Sequence, residues 1–74
     1  MKPHDDLLNM LRRHGATELA EAVDECERGT VGLEVHEWRE DLGQAVVSRY
    51  NIHADMIEDF ESAQVDGLDF IIRP

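Results

Sequence analysis

Apolar positions along this chain follow a helical period in most segments, and two segments have strand character. Leu7, Leu8 and Leu11 fall at helical spacing behind Pro3 and the acids Asp5 and Asp6, and Gly15 stops the pattern, which predicts a first helix over roughly residues 4–14. Thr17 then reads as an N-cap. Leu19, Ala22, Val23 and Cys26 share one face behind it, and Gly29 closes a second helix, so the two form a hairpin with a short turn.

Val35, Trp38, Leu42, Ala45, Val46 and Arg49 continue a helical stripe, predicting a third helix over roughly residues 35–50 with Asn51 as its stop. Ile52, Met56, Phe60 and Ala63 give a fourth, ending before Asp66-Gly67. Two segments carry strand character. Residues 30–36, TVGLEVH, alternate, and the tail LDFII is rich in β-branched and aromatic residues. The fold class expected is therefore mainly α: one domain over residues 1–74, a bundle of three to four short helices with room for a minor two-stranded β element at about 30–35 and 68–72. If unpaired, LDFII becomes an extended strap over the bundle.

Charge changes the picture more than composition does. Seventeen acids stand against seven bases, a formal charge of −10, beyond the magnitude of about 2 to 8 that suits a small domain. Direct binding to nucleic acid or an anionic membrane is disfavoured, because phosphate contacts need Lys and Arg. Self-repulsion keeps such a chain soluble and points to a monomer. A single cysteine, Cys26, excludes an internal disulfide; with no basic-flanked apolar leader and no run of ~18 apolar residues, a cytoplasmic protein is expected.

Helix ends explain part of the charge. Arg12 and Arg13 precede Gly15, Arg28 precedes Gly29, Arg49 precedes Asn51, and Asp5, Asp6, Glu18, Glu21, Glu37 and Asp55 fall in or near first turns, all complementing helix dipoles. The remainder is the informative set. Asp24, Glu25 and Glu27 crowd the end of the second helix, Glu40 and Asp41 sit within the third, and Glu58, Asp59 and Glu61 follow Asp55 with no base between Arg49 and Arg73. On the fourth helix Asp55, Asp59, Ser62 and Asp66 form one stripe. Four carboxylates over ~9 Å approach the linear charge density of a nucleic-acid strand.

In size, charge and carboxylate clusters such as "EDFE" and "DECE", the chain resembles the phage-encoded anti-CRISPR proteins and other DNA mimics. That resemblance implies a non-enzymatic inhibitor in the cytoplasm of a bacterial host, occupying the basic nucleic-acid-binding surface of a DNA- or RNA-binding protein or complex such as a CRISPR effector. Asp24, Glu25, Glu27, Glu40, Asp41, Asp55, Glu58, Asp59, Glu61 and Asp66 are the expected contacts. The alternative is an antitoxin, immunity protein or regulatory subunit that uses an apolar helical surface.

Other chemistry is weakly indicated. "HEWRE" at 36–40 puts His36 and Glu40 on one helix face, but a zinc site needs further ligands. Trp38 is expected as a core anchor and Cys26 as a small buried residue. No catalytic motif, cofactor-binding loop or metal-ligand spacing is present, and a chain this short seldom encloses an enzyme-sized pocket.

Overall fold

The structure, a computed structural model, describes residues 3–73. Helices α1 (Pro3–Arg13) and α2 (Thr17–Glu25) are followed by strands β1 (Val31–Arg39) and β2 (Gln44–Ile52). A 3-10 turn (Ala54–Met56) leads into α3 (Ile57–Ser62), and β3 (Leu68–Arg73) completes the chain. The strands form one antiparallel sheet in the order β2-β1-β3. The fold is thus a small α+β domain, and the expected mainly helical bundle is wrong.

The error lies in residues 35–52. Of the third helical stripe, Val35 lies in the core, Trp38, Ala45 and Arg49 are exposed on strands, and Leu42 belongs to the turn between them. The alternation of Leu33, Val35 and Glu37 on one face is what the tertiary structure uses. Residues 40–43 close the hairpin: the Arg39 carbonyl accepts from the Leu42 and Gly43 amides at 3.2 and 2.9 Å, and Gly43 takes φ +65°, which side chains disfavour. Asn51 is a strand residue and stops no helix.

The first helix lies close to its expected bounds, but α2 ends at Glu25 and not at Gly29, because Cys26 turns to extended backbone, so Glu27 and Arg28 lie outside it; Thr17 is the first residue of α2 and provides no side-chain cap, Ala16 occupying that position. The expected fourth helix survives only as the 3-10 turn and the single-turn-and-a-half α3, because Ile52 is the last, buried residue of β2. His53 then redirects the chain, its Nδ1 accepting the Asp55 amide at 3.1 Å. The predicted pairing of the 30–35 segment with the tail exists, with Leu33 opposite Ile72 and Val35 opposite Phe70, but within a larger sheet.

All three helices contribute to a core on one face of that sheet. Leu7 and Leu11 of α1, Val23 of α2, Leu33 and Val35 of β1 and Phe60 of α3 are fully enclosed. Phe60 meets Phe70 of β3 edge to face, ring centroids 5.1 Å apart. α1 lies against α2 and β2, and α3 lies against β3. Among the described residues, no helix packs on the opposite sheet face, which consists of Gly32, Glu34, His36 and Trp38 on β1, Ala45, Val47, Arg49 and Asn51 on β2, and Asp69, Ile71 and Arg73 on β3. Among the described residues, no helix is long and apolar enough to cross a membrane.

Candidate functional site

All ten of the expected contact acids are exposed, but they do not make one patch. The link from α2 to β1 carries Gly29 directly against the backbone of Ile52 and His53. That contact brings Glu27, just after Asp24 and Glu25, to the end of the sheet where the 3-10 turn carries Asp55. From there α3 bears Glu58, Asp59 and Glu61 alongside β3 toward the turn at Asp66-Gly67. Glu40 and Asp41 occupy the β1–β2 turn at the far end of nine-residue strands, about 26 Å from the first group.

Local setting separates these acids further. Glu58 and Asp59 fall in the first turn of α3, and Asp55 in the 3-10 turn before it, so the helix dipole favours all three. The sequence reading of Glu58 and Asp59 as uncompensated is corrected on that ground. Glu40 and Asp41 are turn residues, with Asp41 accepting two bonds from Arg39 at 3.1 and 2.9 Å. Those hydrogen bonds, with the guanidinium charge, hold the Asp41 carboxyl below its ordinary range. Asp66 lies beyond α3 and shares no helical stripe with Asp55 and Asp59.

Asp24 and Glu25 end α2, and Glu61 lies in the last turn of α3; neither helix has a base there. Those three are at the dipole's unfavourable end. Among the described residues, Asp41 is the one candidate acid within 4.0 Å of an arginine; Asp55 Oδ2 lies 3.5 Å from the same His53 Nδ1 that accepts the Asp55 amide, which makes no ion pair. Lys2, the single lysine, lies outside the described residues.

Two acids that the sequence reading passed over are the most buried. Glu37, on the core face of β1, is 5% exposed and takes His14 Nε2 at 2.7 Å and Arg13 at 3.2 Å, which ties the end of α1 to the sheet. His14 also reaches the Asp66 carbonyl at 3.1 Å. Burial pushes the Glu37 carboxyl up, but the bonds from His14 and Arg13 and their charges outweigh it, and the net shift is downward. Its inward position on β1, and not the helix first turn expected from sequence, explains its burial.

Glu34 occupies the middle of the uncovered sheet face. His36 Nε2 lies 2.7 Å from its Oε1, while Arg73 and Arg49 approach Oε2 at 3.5 and 3.6 Å. The His36 bond leads these effects in lowering its pKa, with burial opposing them. His36 therefore serves Glu34 and shares no helix face with Glu40, which removes the geometry of the "HEWRE" metal reading. Among the described residues no three His, Cys, Asp or Glu side chains are grouped to hold a metal ion.

Trp38 is the largest correction to the predicted core. It is 52% exposed on the uncovered face, with Val47 and Ile71 on the same face and Leu42 at the hairpin tip also exposed. Its backbone amide donates to the Gly67 carbonyl at 2.9 Å, and the indole projects from the outward face of β1. Cys26 is half-buried against the core. At the other end of the face, Gly32, Leu33, Glu34, Arg49, Tyr50, Asn51 and Arg73 line a shallow cleft of about 190 Å³.

No protein-family model matches this chain, and no curated protein or solved structure was found to be similar to it.

The Glu37 cluster makes a prediction of its own. Because its folded pKa is depressed, the stabilisation it contributes is present above the ordinary value of 4.5 and is lost as the pH falls below that value. Glu37→Gln should therefore cost about 1 kcal/mol near neutrality, modest because Arg13 is largely solvated. Urea melts of both proteins should converge toward pH 3. A deficit that stays constant from pH 7 to pH 3 would contradict this role.

Proposed function

We propose that this protein is a non-enzymatic inhibitor that binds a basic nucleic-acid-binding surface of a partner and excludes nucleic acid from it. The observation that carries the reading is the series of exposed acids Asp24, Glu25, Glu27, Asp55, Glu58, Asp59 and Glu61, none of which pairs with an arginine among the described residues. Asp55 to Glu61 spans about 10 Å when its first step is 3-10. One carboxylate per roughly 3 Å lies between the charge spacings of duplex and single-stranded DNA. The partner is a DNA- or RNA-binding protein or complex, of which a CRISPR effector is one candidate. Glu40, Asp41 and Asp66 belong to the opposite end and would engage only a partner extending along the whole strand length.

Association of this kind is steered by charge, so it is fast at low salt and weakens as salt rises. The test is capture from a bacterial lysate on the immobilised chain at about 50 mM salt, followed by elution with duplex DNA or about 300 mM salt. Release of basic nucleic-acid-binding proteins by both is expected. Retention of the bound proteins through both washes would refute the reading.

A second reading rests on a different observation. An antitoxin, immunity protein or regulatory subunit would bind through apolar surface, and the exposed apolar side chains here are Trp38, Leu42, Val47 and Ile71. The helices do not offer that surface, since Leu7, Leu8, Leu11, Val23 and Phe60 are committed to the core. Any such contact would use the sheet.

A further inference from the structure

We infer that the uncovered sheet face docks against the same face of a second copy of this chain, each Trp38 seating in the other's cleft above Gly32. Charge favours this pairing. This face carries two carboxylates, Glu34 and Asp69, and two guanidiniums, Arg49 and Arg73, so it is formally neutral with neutral His36, and the whole net charge of −10 lies elsewhere on the molecule. Contact through this face therefore presses no excess of like charge together, and the repulsion between copies comes from the acids on their other surfaces. Residues 42–54, which include all of β2, contain no acid at all.

Shape favours it as well. Gly32 and Trp38 both belong to this face and lie six residues apart on the central strand, about 20 Å. A two-fold axis crossing the strands at the level of Val35 places Trp38 of each copy over Gly32 of the other. Strands of the two sheets then run antiparallel, in the aligned mode that sheets adopt at about 10 Å separation. Gly32 has no side chain, and the cleft around it, about 190 Å³, is flanked by Arg49 and Arg73. Both guanidiniums are mostly solvent-exposed, with side chains 80% and 63% accessible. An indole laid between them gains cation–π contact on desolvation. The same operation sets Glu34 over His36 and Arg49 over Val47 of the other copy, so no like charges are opposed on the central strand.

Three strands of this length present only about 400 Å² of sheet plane, below the roughly 800 Å² per partner of a stable interface. The dimer is therefore weak, and because the rest of each copy is acidic, added salt strengthens it. That sign is opposite to the salt response of the proposed partner binding, so failure of one does not imply failure of the other.

Sedimentation equilibrium of the full chain up to about 1 mM, at low and at about 300 mM salt, tests the inference. The average mass should rise above 8.5 kDa with concentration, more so at the higher salt. Emission from Trp38, the sole tryptophan, should shift to the blue in parallel. Trp38→Ser and Val47→Glu, both at exposed positions, should each hold the chain at monomer mass. A wild-type chain that stays monomeric at both salts overturns the proposal, as does association that persists in both variants, which would indicate pairing through the β2 edge or another partner surface.

Discussion

Neutralising Asp24, Glu25 and Glu61 together, as Asp24→Asn/Glu25→Gln/Glu61→Gln, is expected to make the protein more stable and a worse binder. Each of these acids sits in the last turn of a helix that has no base there. Removing a negative charge from that end relieves an unfavourable dipole interaction, and the three together should raise Tm by about 4 °C. Capture of a basic nucleic-acid-binding partner at low salt should fall about 10- to 30-fold, the effect of losing three surface ion pairs. The control is Asp5→Asn/Asp6→Asn in the first turn of α1, where acids favour the helix; it should lower Tm slightly. Thermal melts and binding titrations of the two variants check both signs. A stabilised triple variant with undiminished binding would assign these acids to solubility alone.

Gly29→Ala should cost about 3 kcal/mol, at the upper end of what overpacking usually costs. A methyl at this position would run into the Ile52 carbonyl and the His53 backbone, neither of which can rotate away. Ile52 is the buried end of β2, and His53 positions the turn into α3, so the clash would displace the joint that brings the two acid clusters to one end. For a domain this small the loss corresponds to a drop in Tm of roughly 15 °C. Gly15→Ala is the comparison, because nothing lies within 4 Å of a methyl there and only its φ of +80° is strained. Equal Tm losses for the two variants would contradict the packing role of Gly29.

Much of the first half of the chain was legible because its cues are local. Leu7, Leu8 and Leu11 behind Pro3, and a glycine stop, specify α1 without reference to the rest of the fold. Residues 35–52 were misread because Val35, Trp38, Leu42, Ala45 and Arg49 fit a helical stripe by accident of spacing, while the burial that selects the alternating set comes from α1 and α3 packing against the sheet. Glu40-Asp41-Leu42-Gly43 was the available signal: a polar pair and a glycine between two β-branched-rich segments is a hairpin turn. Reading it so would have moved Trp38 out of the core and exposed the uncovered face.

The candidate acids were legible by composition but not by arrangement. That Glu27 and Asp55 share an end depends on the close approach of Gly29 to β2, a non-local contact. Glu34 and Glu37 look like any other acids in sequence, yet strand geometry encloses both and supplies each with cationic partners. Charge-dipole reasoning also shifted once α3 proved to start at Ile57: Glu58 and Asp59 became favourable first-turn acids, and Asp24, Glu25 and Glu61 remained the ones the fold does not explain.

The central claim, that the acidic path competes with nucleic acid for a basic surface, is tested most directly by adding labelled duplex DNA to a captured partner and titrating in this protein at two salt concentrations. The account predicts displacement of the DNA by the wild-type chain, weaker at higher salt, diminished in the Asp24/Glu25/Glu61 variant and unchanged in Trp38→Ser. Simultaneous binding of DNA and protein to the partner, or a displacement that depends on Trp38 and not on the three acids, would contradict it.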